Sequence, residues 1–184
     1  MKEHLCTKTK TVMKGFRYRM YPTLHQQDLF VRTFGSVRFV YNKLLREKID
    51  HYARTRKTLR NTPAHLKKDF PWLAEVDSLA LCNAQLDLER AFESFFRDKS
   101  VGFPRFKHKK HPKRKYTTNM INGNIKLSPK NSSPVYWLLQ LPKAGFVSIK
   151  YHRPLPEGWK LKSATVELTG GGEWYVSLLC DSGE

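Results

Sequence analysis

The acidic residues of this sequence are spaced like those of a solvated helix surface. Asp87, Glu89 and Glu93 fall within one stretch of helical periodicity together with Arg90. Asp87 and Arg90 are three positions apart, which suits an ion pair on the outside of a helix. A hydrolytic site needs paired acids, a metal cluster or an activated nucleophile. This spacing indicates none of the three.

Histidine and cysteine form no metal-binding or catalytic pattern either. His108 and His111 lie inside a basic run, where a metal cation would be repelled. The three cysteines are odd in number and far apart, so they predict neither a disulfide framework nor a zinc knuckle. The glycines at 170–172 precede no helix and indicate a hairpin turn. We expect no catalytic residue, metal or cofactor, although sequence spacing leaves open a site assembled in three dimensions.

Charge gives the strongest functional signal. Lys and Arg total 34 against 16 Asp and Glu, a net charge of +18 in 184 residues. An excess of this size is typical of a protein whose partner is a polyanion. The run from Val101 to Lys115 holds seven Lys or Arg and no acid, with aromatic rings between the cations. Cations bind phosphates and rings stack on bases, so this run favours nucleic acid over an ordinary solvated loop.

An anionic membrane is the weaker candidate partner. The longest apolar run, Val135 to Leu141, is far shorter than the roughly 18 residues of a membrane-spanning helix. Residues 1–13 are polar and lack the apolar core of a signal peptide. We expect them to form a flexible extension, and we expect a cytoplasmic, nucleoid-associated protein that does not bind membranes.

The first half of the chain predicts one strand followed by helices. Residues 15–22 alternate apolar and basic side chains, as in a half-buried strand. Thr23 is placed to cap a first helix that Gly35 would end, and Ser36 to cap a second. Two helices joined at a glycine resemble a DNA-binding helix-turn-helix, and a helical hairpin that only packs its apolar sides is the alternative. Asp77 or Ser78 would cap a further helix ending near residue 98.

The second half predicts short strands separated by turns. We expect strands at 124–128, 135–141, 146–151, 160–168 and 174–180. Their number and spacing argue for a small antiparallel barrel or sandwich. The early strand at 15–21 has no strand close to it in sequence, so it is expected to join this sheet. The predicted fold class is therefore α+β, with the helices inserted after the first strand.

Eight segments in a fixed order carry a family resemblance. They are Phe16–Pro22, Phe34–Asn42, Pro71–Leu73, Ser78–Leu81, Ala91–Phe96, Gly102–Lys107, Leu141–Gly145 and Trp174–Ser177. In order and spacing they resemble the start of TnpB (OrfB) proteins of bacterial insertion sequences. These are transposon-encoded RNA-guided nucleases related to the type V CRISPR effectors.

The resemblance implies an architecture and a set of partners. Residues 14–22 and 116–181 would form a wedge-like β-barrel, and residues 23–115 a helical recognition domain with a basic linker at 101–115. The implied partners are a transposon-derived guide RNA and double-stranded target DNA. In the family a RuvC-like nuclease domain follows, whereas this sequence ends at Glu184. We therefore expect a binding half without nuclease activity, with a separately encoded nuclease half or a full-length relative as a further partner.

The resemblance also implies roles for individual residues. The start of the third strong helix would read a short DNA motif beside the target, together with one residue of the first strand after the basic run. These residues are Ser78, Leu79, Cys82 and Asn122. The resemblance and the basic stretches together predict a second set of residues, which would bind nucleic acid. These are Arg17, Arg19, Arg38, Asn42, Lys43, Arg46, Arg54, Arg56, Lys57, Arg105, Lys107, Lys109, Lys110 and Tyr116.

Two other functions remain open at this stage. One is a stand-alone helix-turn-helix DNA-binding protein, which would recognise duplex without RNA. The other is a non-functional truncated transposase remnant. In that case Trp137, Leu139 and Trp174 would be exposed and would drive aggregation.

Overall fold

The computed structural model describes residues 11–98, 100–109, 114–131 and 133–182. Within these residues, a seven-stranded antiparallel sheet holds three α-helices and one short 3-10 helix between its first two strands. The elements are β1 (Met13–Tyr21), α1 (Leu24–Thr55), α2 (Pro63–Asp69), the 3-10 helix (Pro71–Ala74), α3 (Ser78–Arg97), β2 (Lys115–Asn119), β3 (Lys126–Lys130), β4 (Ser133–Leu141), β5 (Gly145–Lys150), β6 (Lys160–Leu168) and β7 (Trp174–Asp181). None of the helices described is long and apolar enough to cross a bilayer.

The early strand lies in the middle of the sheet. The strand order is β2-β6-β7-β1-β5-β4-β3. β1 pairs with β7 from Met13 opposite Asp181 to Arg19 opposite Tyr175, and its last residues pair with β5. The sheet curls into a half-barrel whose edges are β2 and β3. The predicted α+β class, the antiparallel sheet and the insertion of the helices after the first strand are confirmed.

Alternation in β1 gives the sheet two different faces. Phe16, Tyr18 and Met20 are buried on the inner face. Arg17 and Arg19 point to the opposite side, here called the outer face. At the inner face the rings of Phe30 and Phe34 from α1 pack within 5.6–6.2 Å of the rings of two sheet residues, Tyr116 and Trp174. Burying these rings couples the helical block to the sheet.

The apolar residues expected to be exposed in a remnant are covered. Leu139 is fully buried and Trp174 is 7% exposed. Trp137 is half-buried and its ring lies 4.2 Å from that of Tyr151. The expected exposure of these side chains is therefore not found for Leu139 and Trp174, and Trp137 is only partly exposed.

α1 runs unbroken from Leu24 to Thr55, so the predicted break at Gly35 is wrong. Thr23 caps the helix as expected, and together with Gln26 it forms a capping box. Ser36 caps nothing, because its hydroxyl donates 2.9 Å to the carbonyl of Arg32 inside the helix. The buried stripe continues across the glycine through Phe34, Val37 and Val40. Burial of that stripe outweighs the cost of about 1 kcal/mol for glycine in a helix.

α3 begins where the sequence predicts. The Asp77 carboxylate accepts a hydrogen bond of 2.9 Å from the backbone N–H of Leu79, which is an N-cap. The helix packs on α1 and on β2. Its buried residues are Ala80, Leu81, Ala84 and Leu88. Between α1 and α3, Pro63 opens α2 at its first turn, the position where proline is tolerated.

The region after the basic run differs from its prediction. Lys115–Asn119 form a strand, β2, that was not predicted, and β3 begins at Lys126 rather than at residue 124. Asn122 therefore does not lie in a strand. It occupies a turn with Gly123, at φ values of 51° and 71°. The side chain of Asn124 closes this turn by accepting from the N–H of Ile121 at 2.8 Å.

Candidate nucleic-acid interface

Aromatic residues of the basic run attach it to the helices. The ring of Phe103 stands edge-on to the rings of Phe92 and Phe95 of α3, at 5.4 Å from each. Pro104 is buried and Phe106 is half-buried. Arg105, Lys107 and Lys109 stay exposed. The rings thus hold the linker while the cations remain at the surface, and Lys110 lies outside the described residues.

Asn42 holds the linker backbone. Its amide nitrogen donates to the carbonyl oxygen of Lys107 at 2.9 Å, and its amide oxygen accepts from the N–H of Lys107 at 2.8 Å. Both ends of the amide are thereby bonded to the main chain. Asn42 was expected to contact nucleic acid directly, whereas the structure makes it a residue that positions the linker.

The cations of α1 line a shallow groove of about 390 Å³, here called the α1 groove. Arg38, Lys43 and Arg46 contribute to it from α1 and Phe106 from the linker. The Arg46 guanidinium lies 5.1 Å from the centre of the Phe106 ring. Three predicted binding residues are thus brought together on one helix face, beside an aromatic ring on which a base could stack.

A larger groove of about 1020 Å³, here called the main groove, is lined by residues of α1, α3, the linker and the strands β2, β6, β7 and β1. Among the described residues, the Lys, Arg, Asp and Glu side chains that line it are four basic and one acidic: Arg38, Arg90, Lys107, Lys115 and Asp87. The balance is positive, which suits the phosphates of a nucleic-acid strand. Only Arg38 and Lys107 of these were predicted.

Lys107 lies between an aromatic ring and an acid of the main groove. Its ammonium is 4.0 Å from the centre of the Tyr41 ring and 3.9 Å from a carboxylate oxygen of Asp87. Tyr41 is 5% exposed. Burial raises the pKa of its phenol, with a smaller contribution from Asp87. Tyr41 is therefore a core residue whose ring supports the linker cation.

Arg17 and Arg19 are ion-paired on the outer face. Arg17 lies 2.9 Å from Glu167, and Arg19 lies 2.6 Å from Glu173. Both guanidinium groups contact the ring of Tyr175, at 4.1 and 5.2 Å. Hydrogen bonds from Tyr175 and Arg19 lower the pKa of Glu173. A phosphate must compete with these acids, which sequence reasoning missed because they are distant in the chain. Glu167 lies in β6, 150 residues from Arg17, and Glu173 directly precedes β7.

Tyr116 belongs to the core. It is 4% exposed, and its ring lies 6.2 and 5.9 Å from those of Phe30 and Phe34. Burial raises the pKa of its phenol. The unpredicted strand β2 turns this ring to the inner face, so the structure gives Tyr116 a packing role, and contact with nucleic acid stays a prediction.

Three predicted cations lie apart from the grooves. Arg54 is in the last turn of α1, and Arg56 and Lys57 follow it. The helical rise places Arg54 roughly 24 Å along the axis from Arg38. Arg56 ends the helix in a left-handed conformation with its guanidinium 5.9 Å from the Tyr52 ring. The structure does not bring these cations to the main groove.

The residues expected to read a DNA motif lie on adjoining elements. Ser78 opens α3, and its hydroxyl accepts 2.8 Å from the ammonium of Lys67. Cys82 is exposed one turn later, and Leu79 is half-buried. Asn83, which was not predicted, donates 2.9 Å to the backbone carbonyl of Thr117 and so ties α3 to β2. Asn122 is exposed in the turn that follows β2.

The fold and the grooves define a basic α+β protein with a surface suited to nucleic acid. A family model described as a helix-turn-helix domain, of the OrfB_IS605 type, matches residues 12–57. In this structure those residues form β1 and α1.

The chain is similar in sequence to three proteins of bacterial origin. A Streptomyces pristinaespiralis protein named "Putative RNA-guided DNA endonuclease" is 34% identical over 182 residues, which covers 92% of this chain and 42% of that protein. The Escherichia coli (strain K12) protein InsQ, with the same description, is 28% identical over 178 residues, covering 92% of this chain and 41% of InsQ. The virulence protein VsdF of Salmonella dublin is 35% identical over 113 residues, covering 53% of this chain and 95% of VsdF.

The chain belongs to the TnpB (OrfB) family and matches the N-terminal part of its longer members. It spans less than half the length of the two relatives named for RNA-guided cleavage.

Proposed function

We propose that this chain binds a transposon-derived guide RNA and double-stranded target DNA without cleaving them. The observation that carries the proposal is the main groove, where cations from α1, α3, the linker and β2 converge on one surface. A groove of this charge attracts a phosphate backbone of any sequence. The names of the longer relatives, which refer to RNA-guided action on DNA, add the guide RNA.

We propose that the chain does not cleave nucleic acid because several of its acidic side chains are engaged in ion pairs. Asp87 pairs with Arg90 at 3.0 Å, Glu167 with Arg17 and Glu173 with Arg19. Within the described part of the chain, no three His, Cys, Asp or Glu residues are grouped to hold a metal ion. A nuclease of the family type would need such a group. We propose that cleavage, where it occurs, is supplied by a separately encoded nuclease half or a full-length relative.

The proposed division of labour follows the two parts of the fold. Residues 14–22 and 116–181 act as the wedge barrel, and residues 23–115 act as the recognition domain. Ser78, Leu79, Cys82 and Asn122 read the DNA motif beside the target. Leu79 and Cys82 are poor hydrogen-bond donors, so they would read apolar surface or DNA shape.

The guide-RNA proposal is tested by a competition binding assay. RNA copied from the flanking locus should bind more tightly than a scrambled RNA of equal length, and the preference should persist as salt is raised. The matched variants are Arg38→Gln in the groove and Arg54→Gln at the far end of α1. The first should weaken binding more than the second. Equal affinity for both RNAs would overturn guide recognition and leave only charge.

The same preparation tests the other parts of the proposal. Labelled target DNA incubated with the chain, the locus RNA and Mg²⁺ should stay intact. Cut DNA would overturn the proposed absence of cleavage. Tight, sequence-selective duplex binding without any RNA would instead support the stand-alone DNA-binding function.

A further inference from the structure

Three hydroxyl side chains line up across the floor of the main groove. Thr117 in β2 lies opposite Thr165 in β6, and Thr165 lies opposite Ser177 in β7. All three line the main groove and are half-buried. The hydroxyl oxygens of Thr117 and Thr165 are 2.8 Å apart. This set is called the hydroxyl row.

The row has a cation near each end. At one end, Ser177 of β7 lies opposite Arg17 of the neighbouring strand β1, so Arg17 continues the row by one strand. Lys115 lies two residues before Thr117 on the same face of β2 and also lines the groove. Strands are spaced about 4.8 Å apart, so the row extends roughly 10 Å between its outer members. Phosphates held at the ends would place the sugars of the same strand above the hydroxyls.

The hydroxyl row gives one part of the main groove a polar surface. Each hydroxyl group of the row can donate one hydrogen bond and accept two. The ribose 2′-hydroxyl is likewise a donor and an acceptor, and it is the group that distinguishes RNA from DNA. An A-form duplex displays these hydroxyls along a wide, shallow groove that a sheet face can approach.

We infer that the hydroxyl row binds an RNA strand through its ribose 2′-hydroxyls and makes the main groove selective for RNA over DNA. The inference rests on the proposed function, since it concerns the same groove, and it assigns Thr117, Thr165 and Ser177 as the residues that determine the choice. The cations alone bind either nucleic acid, because both carry the same phosphates. The hydroxyls add contacts that only RNA can return.

The test is a variant that removes the hydroxyls and keeps the shape. Thr117→Val together with Thr165→Val replaces both members of a hydrogen-bonded pair by a side chain of similar size that strands favour. Ser177→Ala is a second, independent variant. Ser148→Ala is the control, since Ser148 lies in β5, on the other side of β1 from the row. Thermal melting of each variant checks that it folds.

The probes are an RNA and a DNA of one sequence, each about 20 nucleotides long and annealed to the same DNA strand. Wild-type protein should bind the RNA-containing duplex more tightly. In the double valine variant its affinity for that duplex should fall about five- to tenfold, the effect of one or two hydrogen bonds. Affinity for the DNA duplex should stay within about twofold, since no 2′-hydroxyl contact is lost. Ser148→Ala should change neither affinity.

A second readout uses RNA in which the 2′-hydroxyls are methylated. If the row contacts these hydroxyls, methylation should weaken wild-type binding and have little effect on the double valine variant, since coupled changes do not add. The inference would be overturned by equal losses of affinity for the RNA-containing and DNA duplexes, or by an unchanged ratio of these two affinities in both folded variants. If that ratio changes but the protein shows no preference for the locus RNA, the inference stands and guide recognition is overturned.

Discussion

Asn42 in α1 and Lys107 in the linker are joined by two reciprocal hydrogen bonds, of 2.9 and 2.8 Å, although 65 residues separate them. One side chain thus sets the path of a basic segment that has no regular secondary structure. With the linker backbone held in this position, the Lys107 ammonium lies next to the Tyr41 ring and the Asp87 carboxylate. The linker cations are therefore placed by an uncharged residue on the neighbouring helix.

We predict that Asn42→Ala weakens nucleic-acid binding without removing a charge. Loss of the two bonds should destabilise the fold by about 1–2 kcal/mol and free the linker. The measurements are urea unfolding, RNA affinity and the rate of proteolysis in residues 101–109. Lys107→Ala is the matched control, because it keeps the backbone bonds and removes only the charge. It should lower affinity with little change in proteolysis, and equal proteolysis in both variants would contradict the positioning role.

We predict that Gly35→Ala stabilises the protein by about 0.5–1 kcal/mol. α1 is continuous at this position, and a Cβ added there meets no atom within 4 Å. A turn between two helices would give the opposite sign, since alanine would then be strained. The control is Gly145→Ala, at a φ of +67°, which should destabilise. The midpoint of thermal unfolding decides between the two structures.

We predict that Glu167→Gln strengthens RNA binding. Its partner Arg17 is half-exposed and 2.9 Å away, so removing the acid frees a guanidinium for phosphate. Affinity should rise about two- to threefold at low salt, and the salt dependence should steepen by close to one phosphate contact. Stability should change little, because exposed ion pairs contribute at most about 1 kcal/mol. Glu157→Gln, in the loop before β6, controls for net charge alone; an equal gain there would count against a specific role of Arg17.

We predict that Asp77 makes the protein less stable as pH rises above about 4. The side chain is 6% exposed, and burial raises the pKa of its carboxyl above the ordinary value of 3.8. The folded state therefore binds the proton more tightly than the unfolded state, and the stability gained from it is lost as pH rises through the folded pKa. Asp77→Asn keeps an N-cap residue and should remove this part of the pH dependence. The measurement is the unfolding free energy of the wild-type protein and of Asp77→Asn between pH 4 and 7. If the difference between the two proteins is the same at every pH, the effect is excluded.

Much of the fold could be predicted from local patterns. The alternation around Phe16 and Arg17, the cap at Asp77 and the strand at 160–168 all appear where the sequence places them. Each depends on neighbours within a few residues, which is the range over which periodicity and capping operate. The helix break predicted at Gly35 is wrong because glycine is only a local signal. Burial of the apolar stripe on either side of Gly35, which depends on tertiary packing, stabilises a continuous helix.

The sequence by itself determined that this protein is basic and α+β, with helices inserted after a first strand and a run of cations between helices and sheet. These features follow from amino-acid composition and from short-range periodicity. Only the tertiary structure decided that Tyr116 is buried, that Asn42 holds Lys107, and that Arg17 faces Glu167. It also decided that Thr117, Thr165 and Ser177 share one row. Such contacts join residues far apart in the chain, and strand register and helix packing, which fix them, leave no local pattern in the sequence.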